Sequence, residues 1–132
     1  MILAKLPHRA PDDYGSGEYR ASRGNRLHNG IDYQCAAGAE IVAPVTGLVT
    51  KLGYPYGDDL SYLYVEITDH AGERHRVFYV DPHCDVGDTV MFGVSVIGVA
   101  QNVAAKYTKG HMNNHVHYEV KSPDGSYRNP EE

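Results

Sequence analysis

The spacing of apolar positions divides the chain into a polar leading arm and a succession of short strands. Residues 1 to 27 carry Pro7, Pro11, Gly15, Gly17 and Gly24 among mostly polar neighbours, which is the composition of an irregular arm. From Ile31 onward, short apolar runs alternate with turn residues. Glu40 to Ala43 and Gly47 to Leu52 read as two strands parted by Pro44. Between Tyr62 and Thr68, the apolar Leu63, Val65 and Ile67 alternate with Tyr62, Tyr64, Glu66 and Thr68, which predicts a strand with one apolar face. Asp69-His70-Ala71-Gly72 is turn chemistry, and Arg74 to Val80 returns as the hairpin partner. Val86 to Val90 reads as a turn into a short strand, and Val94 to Val99 as a further apolar strand. His115 to Ser122 predicts the last strand, closed by Pro123-Asp124-Gly125. The fold class expected is all-β. Gln101 to Asn114 breaks the pattern as a long polar loop, and loops of that length in compact domains are usually functional or mobile.

Length and composition narrow the picture. A chain of 132 residues makes one domain large enough to bury a core, here with the arm at 1–27 and the globular part at 28–132. The net charge of -5 gives no electrostatic reason to expect nucleic acid or an anionic membrane as partner. Arg20, Arg23 and Arg26 form a local basic cluster, read as a solvated segment or as a contact for an anionic ligand. Cys35 and Cys84 are either two free thiols or one disulfide; no Cys-x-x-Cys pattern is present. No run approaches the ~20 apolar residues of a membrane span. Met1 to Pro7 is too interrupted for the apolar core of a signal peptide, so synthesis in the cytoplasm and delivery by another route are expected. A monomer is the expected state.

Two motifs near opposite ends of the chain carry the chemistry. His28-Asn29-Gly30-Ile31-Asp32 reads His-x-Gly-x-Asp, and His115-Val116-His117 reads His-x-His within a strand pattern. Residues i and i+2 of a strand project from one face, so His115 and His117 point together. Two imidazoles and a carboxylate form a three-ligand set that leaves a zinc position open, as catalytic rather than structural zinc requires. The same set describes the facial triad of non-haem iron oxygenases. His8, His70 and His75 fall in an arm, a turn and a hairpin and are expected to be solvated, while His111 is a candidate lining residue of a groove.

These motifs, together with Ala43-Pro44-Val45-Thr46-Gly47-Leu48-Val49, Val86-Gly87-Asp88-Thr89-Val90 with Gly93 and Ile97-Gly98, and the terminal Asn129-Pro130, resemble the lysostaphin-type, LytM-like zinc endopeptidases. Those enzymes cut peptide cross-bridges of bacterial peptidoglycan, and the resemblance spans roughly residues 28 to 130. It implies a twisted antiparallel sheet with a metal-bearing groove and few or no helices. It implies one zinc ion held by His28, Asp32 and His117, with His115 as general base or acid, and a peptidoglycan stem or cross-bridge as the partner. A one-domain wall hydrolase of this kind resembles a bacteriophage lysis enzyme or virion-associated protein, acting at the cell wall or periplasm. One departure stands out. The family's second non-ligand histidine, in a Tyr-x-His pattern, falls on Asp81 of Phe78-Tyr79-Val80-Asp81-Pro82-His83. Either His83 takes its place, or Asp81 acts as a carboxylate base, or neither contributes. The last case leaves a non-catalytic relative that binds wall peptide or a partner hydrolase as the alternative function.

Overall fold

The computed structural model describes residues 3–132. Ten strands follow in chain order: β1 (Ile31–Gln34), β2 (Glu40–Val42), β3 (Gly47–Gly53), β4 (Tyr64–Thr68), β5 (Arg74–Phe78), β6 (Val80–Pro82), β7 (Thr89–Val90), β8 (Val96–Ala100), β9 (His115–Lys121) and β10 (Tyr127–Arg128). Among the described residues there is no α-helix, only 3-10 turns at Leu3–Lys5 and Val103–Lys106. None is long and apolar enough to cross a membrane. The larger antiparallel sheet runs β1-β9-β5-β4-β3-β7, with β10 also on β9, and the smaller runs β2-β8-β6.

The alternation seen in the sequence becomes two faces of the larger sheet. Ile31, Tyr33, Val65, Ile67, Val77, Val116 and Val120 turn inward and pack with Ile41, Val80, Ile97 and Ala100 in one core. Burial of such side chains contributes about 1.5–3 kcal/mol each, before the entropy of ordering the chain is counted. The other face carries the chemistry, and register decides what meets there. Asp32 on β1 pairs with His117 on β9, and His117 pairs in turn with Phe78 on β5. Glu119 pairs with Arg76, which pairs with Glu66 on β4.

Two elements differ from the sequence expectation. Arg74 to Val80 is not one strand: it ends at Phe78, and Tyr79, with φ of +70°, turns the chain out of the larger sheet and into the smaller one. His75, expected in solvent, is buried, with its Nε2 2.9 Å from Asp69 and its Nδ1 2.7 Å from the Tyr118 hydroxyl. Its site lies where β5 passes the hairpin turn, and Asp69 and Tyr118 satisfy both ring nitrogens there. His70 is exposed and His8 half-buried between Glu18 and Glu131. Cys35 and Cys84 are free, half-buried thiols, and burial pushes the Cys35 thiol up to about 11.

The arm has no named strand, yet it is built into the domain. Leu3 and Leu6 are in the core. The Arg9 amide donates to the Asp32 carbonyl at 2.7 Å, and the Asp32 amide donates to the Gly17 carbonyl at 2.8 Å. Gly17 allows this approach, since a Cβ there would run into Asp32 and Arg9.

Candidate metal centre

His28, Asp32 and His117 converge at the floor of a cleft of about 390 Å³. His28 Nε2 lies 3.0 Å from His117 Nδ1 and 3.2 Å from Asp32 Oδ1, and His117 Nδ1 lies 2.9 Å from the same oxygen. Ligand bonds of ~2.05 Å in a tetrahedral zinc site set ligand atoms ~3.3 Å apart, so the three donors stand a few tenths of an ångström inside that spacing. Gly30 makes the convergence possible: a Cβ there would strike the Tyr118 carbonyl, and the turn carrying His28 would be forced off β9.

The remote nitrogens fix which ring nitrogen faces inward. His28 Nδ1 donates to the Glu18 carbonyl at 2.9 Å, and His117 Nε2 donates to Glu119 at 2.9 Å. A carbonyl or carboxylate accepts only, so in the neutral rings the inward His28 Nε2 and His117 Nδ1 carry the lone pairs. This is the tautomer a metal selects, with the outer N–H anchored by an oxygen. Without a cation the cluster must instead hold a proton. Burial alone would lower the His117 pKa, but Asp32 and Glu119 reverse that and push it up to about 9. Burial would raise Asp32, yet its bonds to His117 and His28 hold it well below the usual carboxylate range. The donor set therefore fits a divalent cation: it is anionic, it is buried, and its inward nitrogens are bare once the proton leaves.

Two consequences are measurable. Because His117 is protonated below about pH 9 in the metal-free chain, cation binding displaces that proton. Zinc affinity is expected to rise ~10-fold per pH unit from neutrality to about 9, with ~1 proton released per zinc at pH 7. Calorimetric titrations in buffers of different ionisation enthalpy read that proton directly. Glu119→Ala removes the anchor of the His117 ring and is expected to weaken zinc by ~10–100-fold in a chelator competition assay.

His115 stands beside the three donors without joining them. Its Nδ1 donates to the Asn113 carbonyl at 2.8 Å, which leaves Nε2 unprotonated in the neutral ring, 3.6 Å from Asp32 Oδ2. Burial lowers its pKa and outweighs the pull of Asp32, so at neutral pH it is a base with an open lone pair. Asp32 Oδ2 also faces the guanidinium groups of Arg9 and Arg23, each at 3.6 Å. Arg9 is buried and held by the Gly15 carbonyl at 2.9 Å, so the arm supplies part of the floor.

Asp81 and His83 are not brought to this cleft. In one extended strand Tyr79 and Asp81 would share a face. The kink at Tyr79 breaks that relation, and β6 pairs Asp81 with Val99 of the smaller sheet. Asp81 is exposed in a separate depression beside Ser61, Tyr62 and Gln101, and His83 is exposed too. Neither touches the metal position. His111 is likewise exposed on the loop, 2.8 Å from Asn113, and the loop residues that line the cleft are Tyr107 and Met112. Arg9, Glu119 and the Glu18 carbonyl escaped the sequence reading. Glu119 had a signal in the alternation His115, His117, Glu119; Arg9 and Glu18 had none.

A sequence model of peptidase family M23 matches residues 26–130. The chain belongs to this family. The two motifs thus lie in an M23 domain, and the order of donors along it is His28, Asp32, His117. The chain is similar to leukocyte cell-derived chemotaxin-2 of Bos taurus (31% identical over 74 residues) and of Mus musculus (42% over 74 residues). Those matches cover 56% of this chain and 49% of each relative, so the chain spans about half the length of the curated relatives it matches. Among solved structures, a point mutant of the catalytic domain of the prophage-encoded M23 protein EnpA from Enterococcus faecalis is 25% identical. It superposes with a TM-score of 0.64 over 98% of this chain and 97% of that one. The catalytic domain of lysostaphin from Staphylococcus simulans shares the fold, with a TM-score of 0.66 at 21% identity over 91% of this chain and 88% of that one.

Proposed function

We propose that this M23 domain is a zinc-dependent endopeptidase that hydrolyses peptide cross-links of bacterial peptidoglycan. The observation that carries the proposal is the convergence of two imidazoles and a carboxylate whose outer ring nitrogens are already anchored, with an unprotonated His115 Nε2 alongside. His28, Asp32 and His117 would hold the ion. When bound, zinc would acidify a water and polarise the scissile carbonyl. His115 takes the proton from the attacking water through Nε2 and returns it to the leaving amine. Its bond to the Asn113 carbonyl keeps the ring in the tautomer that can do so. Arg9 and Arg23 place positive charge 3.6 Å from the outer Asp32 oxygen. Arg26 lines the cleft with an exposed side chain that forms no ion pair among the described residues. It supports a substrate bearing a carboxylate, as the diaminopimelate of a Gram-negative cross-link does. The likeness to a prophage-encoded protein along nearly the whole of both chains supports a phage role, as a lysis enzyme or virion-associated wall hydrolase.

A second function has specific support. Asp81, in the family's histidine place, lies outside the cleft, and the curated relatives carry the name of a chemotaxin. A binder of wall peptide or of a partner hydrolase would fit both facts. Digestion of purified Gram-negative peptidoglycan with zinc-loaded and chelator-treated protein separates the two. Loss of cross-linked fragments with new amino termini, only in the zinc-loaded sample, is the expected result. Retained zinc with no new termini, on this wall and on one with a different bridge, leaves the binder.

A further inference from the structure

With Asp81 and His83 turned away, the cleft still needs a hydrogen-bond donor opposite His115, where negative charge grows on the carbonyl oxygen during attack. Tyr14, Tyr56, Tyr79 and Tyr107 all line the cleft. Tyr79 alone among them packs on the base, its ring edge-on to His115 with centroids 5.6 Å apart.

Two further facts single out Tyr79. The first is its backbone. A tyrosine at φ of +70° is strained, and such residues persist only where surrounding bonds over-determine them. Here they do: the Tyr79 amide donates to the Leu63 carbonyl at 2.8 Å, and its carbonyl accepts from the Gln101 amide at 2.8 Å. Gln101 is fixed in turn by its side chain, which accepts from the Leu63 amide and donates to the Ser61 carbonyl. The kink that carries Asp81 away is the same one that leaves Tyr79 in the cleft.

The second fact is where the hydroxyl protons go. Tyr56 donates its hydroxyl to Tyr79 at 3.3 Å, and the Tyr56 and Tyr107 hydroxyls lie 2.6 Å apart. With the Tyr56 proton on Tyr79, the short bond is filled by the Tyr107 proton. The relay runs Tyr107 to Tyr56 to Tyr79 and leaves one O–H unspent, that of Tyr79. Burial raises the Tyr79 pKa, so that proton stays in place at any working pH. Arg9 and Arg23 are not equivalent donors, because both are turned to Asp32.

We propose that Tyr79 is a catalytic residue of this chain, donating its phenolic hydrogen bond to the carbonyl oxygen of the scissile peptide as the tetrahedral oxyanion forms. The donor thus comes from two positions before the place where the related zinc endopeptidases carry a histidine. The inference rests on the peptidase function proposed above. Removing one such donor lowers kcat by ~10²–10³-fold. Tyr79→Phe keeps the ring, its packing on His115 and the kinked backbone, and deletes only the hydroxyl.

The experiment compares wild-type and Tyr79→Phe proteins, both zinc-loaded, on a cross-linked peptide. It also measures calorimetric affinity for a tetrahedral phosphinate analogue of that peptide. The expected result is kcat down ~10²-fold or more, KM and zinc stoichiometry unchanged, and phosphinate affinity reduced by a similar factor. Tyr107→Phe, at the far end of the relay, is expected to lose less than ~10-fold. Wild-type turnover with Tyr79→Phe within about twofold in both readouts overturns the role of Tyr79 alone. A rise in KM matched by an equal fall in kcat/KM, with kcat intact, also overturns it, because it describes ground-state binding. A wild-type protein that binds zinc and cuts nothing overturns the peptidase function itself, and Tyr79 with it.

Discussion

His117→Ala is expected to lose zinc and hydrolysis together. The His117 Nδ1 is the centre of the donor cluster, 2.9 Å from Asp32 Oδ1 and 3.0 Å from His28 Nε2. Without it, one imidazole and one carboxylate remain, too few for a tightly held catalytic ion. Activity under limiting zinc is expected to fall by more than ~10⁴-fold, because both the polarised carbonyl and the acidified water go at once. The fold is expected to tolerate the change. Asp32 and Glu119 lose their histidine partner, but Asp32 keeps Arg9 and Arg23 at 3.6 Å, and Glu119 keeps Arg76 at 3.5 Å. Metal analysis of the purified variant beside a thermal melt separates loss of the site from loss of the domain. Retention of stoichiometric zinc would contradict the assignment.

His115→Ala is expected to behave in the opposite way toward the metal. His115 lies on the same face of β9 as His117, but its inward Nε2 approaches only the outer Asp32 oxygen, at 3.6 Å. It belongs to the base and not to the ligand set. Zinc stoichiometry should be unchanged, and kcat should drop by ~10²–10⁴-fold, the usual worth of a positioned general base. Loss of zinc in this variant would exchange the roles of the two histidines. The pair of variants therefore tests the division of labour inside a single His-x-His motif.

That division shows what a sequence can and cannot carry. His115 and His117 are two apart on a strand, so their common face follows from backbone geometry alone. His28 and Asp32 are four apart around Gly30, and that spacing is equally local. Their meeting with His117 needs the β1–β9 register, which the apolar partners Ile31, Tyr33, Val116 and Tyr118 set from the buried side. The all-β class was legible for the same reason, in the alternation of residues 62 to 68. The rest depends on contacts between distant segments. Arg9 reaches Asp32 from 23 positions away, and the Glu18 carbonyl orients His28 from an arm without strand periodicity. Asp81 takes the family's histidine place by resemblance, and nothing in its neighbours shows that the kink at Tyr79 carries it to the smaller sheet. No residue in Phe78-Tyr79-Val80 is a turn former, and the kink at Tyr79 is held by Leu63 and Gln101 from other segments. His75 looked like a hairpin surface residue because its partners, Asp69 and Tyr118, are fixed by pairing and not by spacing.

Anomalous diffraction at the zinc edge from crystals of the zinc-loaded protein tests the central claim most directly. One strong peak is expected among His28 Nε2, Asp32 Oδ1 and His117 Nδ1, with Glu119 still bonded to the outer His117 nitrogen and an open side toward His115. A peak instead at the second cluster of potential ligands, Asp69, Glu73 and His75, or a fully occupied four-residue cage without an open position, would contradict it.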